Sequence, residues 1–140
     1  MNSTRVPRVL DLPDWVSGMP YFITGSVRFG CATNTSDLDI CIPITVDWRT
    51  HLPANTPCEA SNYNNGTKFM HNGIVINIVH LHPRVFIAWF LAAKMADAVK
   101  ALRTYDRNKR YAMHALLCAT ADLSIDVDIN ASNFLNYFRD

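Results

Sequence analysis

Apolar and polar positions alternate most regularly over residues 38–44, where Ile40, Ile42 and Ile44 fall on one side and Asp39 and Cys41 on the other. A period of two marks a strand with two different faces. Pro43, which lacks a backbone donor, suits an edge or a terminating strand. Just before it, residues 21–24 (Tyr-Phe-Ile-Thr) form a short β-rich run that stops at Gly25-Ser26. A second β-rich block spans residues 60–70 and 74–79 and is interrupted by Asn64-Asn65-Gly66 and His71-Asn72-Gly73. Asn-Gly tolerates positive φ at both central positions of a two-residue hairpin, and the tight turn is placed at Asn72-Gly73.

The period then changes. Pro83 is suited to a first helical position, and Phe86, Ala88, Phe90, Ala93, Met95, Ala98, Val99 and Leu102 continue an apolar stripe behind it. A second helix is expected from an Asp106 N-cap to about Leu123. Residues 1–13, interrupted by Pro7 and Pro13, read as a loosely ordered lead-in. Asp14 is expected to cap a short turn through Ser17, stopped by Gly18 and Pro20. Residues 45–57 read as a proline-punctuated loop. Ile125, Val127 and Ile129 alternate with Asp126 and Asp128, either as a last strand or as a loop before a short helix over 132–138. Strands first and helices last give an α/β chain of the α+β kind: one domain over 1–140, with a small mixed sheet flanked by helices.

Composition narrows the function classes. Apolar residues make up 49% and charged residues 18%, enough for a core and unlike a disordered chain. A formal net charge of +1 supplies no overall basic field, and no DNA-binding signature is present. Cys31, Cys41, Cys58 and Cys118 show no close pairing of the kind zinc sites use. Cys41 and Cys118 read as small buried hydrophobes. The polar N-terminus does not read as a signal peptide. The longest apolar run, residues 85–95, is far short of the ~20 residues a bilayer requires. A cytoplasmic protein without membrane contact is the expectation.

The chemistry concentrates at residues 23–40. A strand enters Gly25-Ser26, a short helical turn follows, and the next strand opens with Asp37-Leu38-Asp39. Residues two apart on a strand face the same way, so the two carboxylates project together and can share hard divalent cations. Two such ions ~3.5–4 Å apart would clamp the attacking and leaving oxygens of a phosphoryl displacement. Gly25 lets the backbone approach a triphosphate, and the Ser26 hydroxyl and nearby amides can donate to its oxygens.

Gly25-Ser26, the ten residues 27–36, then Asp37-Leu38-Asp39, with Gly30 and Ser36 in place, resembles the signature of the DNA polymerase β-like nucleotidyltransferase superfamily, in spacing its minimal members. The resemblance implies a nucleotidyltransferase fold and a nucleoside triphosphate bound through Gly25, Ser26 and Ser36. It also implies magnesium (or manganese in its place) on Asp37 and Asp39, and transfer of a nucleoside monophosphate to a hydroxyl. The acceptor stays open among an RNA 3′ end, a protein hydroxyl and a small molecule. Family members usually carry a third carboxylate on a neighbouring strand. The matching position here is Asn77, whose neutral carbonyl can touch a metal but cannot act as a base. A catalytically impaired fold that only binds nucleotide or a host protein is therefore the alternative. Residues 76–79 with Pro83, Phe86 and Ala88-Trp89 also resemble small nucleotidyltransferase-like proteins of tailed bacteriophages, which would place the chain in a host cytoplasm.

Secondary candidates surround this centre. Arg28 and Lys68 are read as phosphate ligands, Arg28 equally as an ordinary exposed arginine. Asp126 and Asp128, or more weakly Glu59, are the fallback third carboxylate. His71, His80 and His82 read as surface histidines, with His80 a loosely held acceptor-side base. The cationic run at 107–110 reads as a solvated helix start that could still meet a triphosphate or an RNA backbone. Phe86, Trp89, Phe90 and Met95 read as core, except that the Trp89 indole prefers a polar partner.

Overall fold

The computed structural model describes residues 1–61 and 66–124. Within them lie five strands, β1 (Phe22–Thr24), β2 (Leu38–Pro43), β3 (Glu59–Ala60), β4 (Gly66–His71) and β5 (Ile74–Leu81). Three helices accompany them: α1 (Gly25–Phe29), α2 (Pro83–Asp97) and α3 (Arg107–Ser124). The strands form one mixed sheet in the order β1-β2-β5-β4-β3. β2 and β5 run parallel, and the other neighbouring pairs are antiparallel. The mixed α/β architecture agrees with the reading of the sequence.

The sheet is buried on both faces. On one, Leu38, Ile40 and Ile42 of β2 and Ile74, Ile76 and Ile78 of β5 pack under Val16 and Trp48. Trp15, Trp48 and Phe69 stack there, with ring centroids 5.7–6.4 Å apart. On the other, Phe22, Cys41, Val79 and Leu81 pack under Phe86, Ile87, Phe90 and Ala93 of α2. Trp48 is fully buried, so the proline-rich segment expected as a loop also supplies a core anchor. β2 is an interior strand closed by Pro43, which settles the edge-or-end alternative: a parallel neighbour requires a donor at most interior positions, and proline is tolerated only at the end.

The β4–β5 turn lies at Asn72-Gly73, with φ of 51° and 80°, and His71 faces Ile74. Asp106 caps α3, its Oδ1 accepting the Lys109 amide at 2.8 Å. Two expectations differ. α2 stops at Asp97; Val99 leaves the helical region (ψ 80°), and a 3₁₀ turn, Lys100–Thr104, brings Leu102 back to the core. The first thirteen residues, expected to be loose, carry a 3₁₀ turn at Val9–Asp11 and a bidentate Arg5–Asp11 pair at 2.7 and 2.9 Å. The Asp126/Asp128 alternation and the short helix expected over 132–138 lie outside the described residues.

Ser3 explains the anchoring. Its hydroxyl donates to the Ser36 carbonyl at 2.7 Å and accepts the Val75 amide at 3.0 Å. Val75 precedes the first β2–β5 register pair, Leu38 with Ile76, so Ser3 takes over where the parallel ladder runs out. Ser3→Ala would leave the buried Val75 amide and the part-buried Ser36 carbonyl without this partner. Urea unfolding is expected to show a loss of ~1–3 kcal/mol with an unchanged m-value. A change within ~0.5 kcal/mol, the scale of ordinary surface substitutions, would show that water replaces the hydroxyl.

Candidate functional site

The register of the sheet brings the candidate residues into one row. Thr24 of β1 lies opposite Asp39 of β2, Asp39 opposite Asn77 of β5, and Asn77 opposite Lys68 of β4. These residues have the parity of Cys41 and Val79, so the row continues the α2-covered face toward the carboxyl-adjacent end of β1 and the start of β2. There a cavity of about 460 Å³ opens, with Gly25, Ser26, Ser36, Asp37, Asp39, Lys68 and Asn77 in its wall. Asp37, two residues before Asp39, faces it too, as strand parity requires.

Each member is held by a stated contact. Asn77 Nδ2 donates to Asp39 Oδ1 at 2.9 Å. Lys68 Nζ lies 2.9 Å from Asp37 Oδ2. Ser36 Oγ accepts the Thr33 amide at 2.8 Å, closing the turn before Asp37. Gly25 has φ of 71°, and a Cβ there would run into the Asp39 carboxylate. Only glycine satisfies both the left-handed backbone and that close approach. Gly66, without a positive φ, makes the same close approach to the Asn77 amide oxygen.

The electrostatics of the row are uneven. Burial pushes the Asp39 carboxyl up to about 6; Asp37 adds to the rise, while the Asn77 hydrogen bond and Lys68 oppose it. Asn77 is itself 4% exposed, and its Oδ1 has no hydrogen-bond partner among the described residues. Two carboxylates and an unpaired amide oxygen thus face one ammonium. Among the described residues no cluster of three or more His, Cys, Asp or Glu side chains is arranged to hold a metal. The oxygen set consists of Asp37 and Asp39 with the Asn77 amide.

Arg28 is not brought to this cavity. It turns to the far side of α1, pairing with Asp97 at 2.7 and 2.9 Å and donating to the Ile23 carbonyl at 3.0 Å. A helix of five residues rotates successive side chains by about 100°, so Ser26 and Arg28 cannot both face the cavity. His80 also lies elsewhere: it sits edge-on to Trp48 at 5.6 Å, on the sheet face opposite the carboxylates, with its pKa lowered by burial and by Arg49. From that face it cannot reach the carboxylates to serve as an acceptor-side base. Glu59 continues the row beyond Lys68 but is exposed on a two-residue edge strand.

The opposing wall was only partly foreseen. Trp89 of α2 reaches the cavity and meets the His114 ring edge-on at 4.8 Å. Arg107, Arg110, Tyr111 and His114 of α3 line it beside Phe29. His114 is held below its usual pKa by burial, and Cys118, with Sγ 3.5 Å from its Nε2, is pushed up to about 11. The spacing 107, 110, 111, 114, 118 is one helical stripe, and that periodicity is the signal by which these residues were recoverable from the sequence. The described residues contain no helix long and apolar enough to cross a membrane.

Compared with known proteins, the chain matches no family model, no curated protein and no solved structure.

Asp39 generates a pH dependence. Its pKa is higher folded than unfolded, so the folded state binds the proton more tightly. Its stabilising contribution is complete below about pH 4 and is lost as pH rises through about 6. Asp39→Asn should therefore stabilise the protein by ~1–3 kcal/mol at pH 7 relative to its effect at pH 4. Urea midpoints across that range check this, and an effect that does not change with pH would contradict it.

Proposed function

We propose that this chain is a magnesium-dependent nucleotidyltransferase that takes a nucleoside triphosphate and transfers its nucleoside monophosphate to a hydroxyl acceptor. The reading rests on one observation: Asp37, Asp39, Gly25 and Ser26 converge on a single cavity, with the Asp39 carboxylate filling the space that a side chain on Gly25 would need. Carboxylates that close to a hydroxyl-bearing turn suit a ligand that is anionic and carried with a hard cation.

The residues fit such a cation. The donors are all oxygen, the Asn77 Oδ1 lacks a partner among the described residues, and the carboxylate pair has one lysine against it. Asp37 and Asp39 would hold magnesium, or manganese in its place, with Asn77 completing that surface. When bound, the ion supplies charge stabilisation at the transferring phosphoryl group. Ser26 would meet phosphate oxygens, and Arg107 and Arg110 add positive charge across the cavity. In the transfer an acceptor hydroxyl oxygen forms a bond to the α-phosphorus, the bond to pyrophosphate breaks, and the hydroxyl proton leaves to water or to a carboxylate. Asn77 cannot take it.

A second reading has its own support. The Asn77 amide nitrogen, not its oxygen, faces Asp39. That arrangement favours a nucleotide- or host-protein-binding module that transfers nothing.

Thermal unfolding with magnesium and each nucleoside triphosphate in turn tests both. A nucleotide at 100 times its Kd stabilises by ~2.7 kcal/mol, which raises the Tm by several degrees. Asp37→Ala with Asp39→Ala should abolish the metal-dependent part, and no shift with any nucleotide would count against the transferase and against nucleotide binding by the module. Pyrophosphate release over a panel of RNA, protein and small-molecule acceptors separates them. Asn77→Asp restores a base and is expected to raise release by on the order of 10²-fold. Binding with no release by wild type or this variant would leave the binding module.

A further inference from the structure

Lys68 occupies an unusual place for a phosphate ligand. It stands opposite Asn77 in the β4–β5 register, and its ammonium is bound to Asp37 at 2.9 Å. Asn77, beside it, donates an amide N–H to Asp39 at 2.9 Å. Each carboxylate of the pair therefore already has one oxygen engaged by a donor, from the same direction, the β5–β4 side. On that side the buried Asn77 Oδ1 offers a neutral oxygen and no negative charge.

Charge decides how many cations such a site can take. Asp37 and Asp39 carry at most −2 between them. One divalent ion with the Lys68 ammonium already brings +3, and a second divalent ion would bring +5. At ~4 Å, like charges repel by several kcal/mol at the effective dielectric of a partly buried site. A second ion would also have to displace the lysine from Asp37 and the amide from Asp39. A bound triphosphate adds negative charge, but on the Gly25-Ser26 side, where the first ion would lie.

We infer that Lys68 stands in for one of the two cations that a carboxylate pair can recruit, so that this site takes a single divalent ion together with its nucleotide. The inference rests on the nucleotidyltransferase reading and deepens it. Lys68 is a fixed positive group on the acceptor side of the carboxylates, set there by strand pairing. The single ion lies on the phosphate side. The ammonium cannot act as a Lewis acid toward an acceptor oxygen, but it can orient that oxygen by hydrogen bonding.

Electron paramagnetic resonance of Mn²⁺ on the full chain tests this, with nonhydrolysable analogues of ATP, GTP, CTP and UTP supplied in turn. Two Mn²⁺ ions ~3.5–4 Å apart couple magnetically, whereas one alone does not. Wild type is expected to show protein-bound, uncoupled Mn²⁺, one per bound nucleotide. Lys68→Met, which keeps the apolar stem of a side chain only 27% exposed, should show a coupled pair, and Lys68→Arg should return to one uncoupled ion. A coupled pair in wild type would overturn the inference while leaving the nucleotidyltransferase reading standing. So would a single uncoupled ion in Lys68→Met. Absence of protein-bound Mn²⁺ in wild type with every analogue would overturn both.

Discussion

The hydrogen bond from Asn77 to Asp39 sits at the parallel contact between β2 and β5, and the rest of the candidate site is arranged around it. Parallel pairing fixes Asp39 opposite Asn77; antiparallel pairing on either side then fixes Thr24 and Lys68 in the same row. A one-residue slip of β2 would turn Asp37 and Asp39 against Ile76, Ile78 and Trp48 and turn Leu38 and Ile40 toward the cavity. The apolar residues that forbid the slip are therefore also what aims the acids at the cavity. Ser3 reinforces this, joining the Ser36 carbonyl just before Asp37 to the amide of Val75 at the head of β5.

This geometry has a cost within the fold. A carboxyl group pushed up to about 6 by burial is held ionised at neutral pH against its desolvation. Gly25 and Gly66 give up conformational entropy to leave room for the Asp39 and Asn77 side chains. Residues selected for stability alone would place apolar groups at these positions. Concentration of such unfavourable choices around one cavity is the pattern expected of a site shaped for a ligand.

Much of this was legible in the sequence because it rests on local rules. The two-residue period over 38–44 placed Asp37 and Asp39 on one face. Asn72-Gly73 fixed the hairpin that carries Asn77 and Lys68, and Pro83 and Asp106 marked two helix starts. What escaped notice depends on contacts between distant segments. Arg28 follows Ser26 by two residues, yet its direction was decided by Asp97, 69 positions away. The ordering of residues 1–13 was invisible because prolines argue against regular elements, and the contacts of Ser3 with residues 36 and 75 have no local signature. His80 alternated correctly, but its parity matches Ile78 rather than Asn77, which alone would have placed it on the face opposite the carboxylates. The α3 stripe was present as a helical period, but nothing in the sequence said that it would close the cavity.

The proposed activity requires Asp37 and Asp39 together to hold a cation at phosphates gripped by Gly25 and Ser26. The most direct measurement is anomalous diffraction from crystals of the protein grown with Mn²⁺ and a nonhydrolysable nucleoside triphosphate. An anomalous peak is expected within coordination distance of both carboxylates, with the triphosphate lying along the Gly25-Ser26 bend. Manganese bound elsewhere, or nucleotide seated with its phosphates away from that bend, would contradict it.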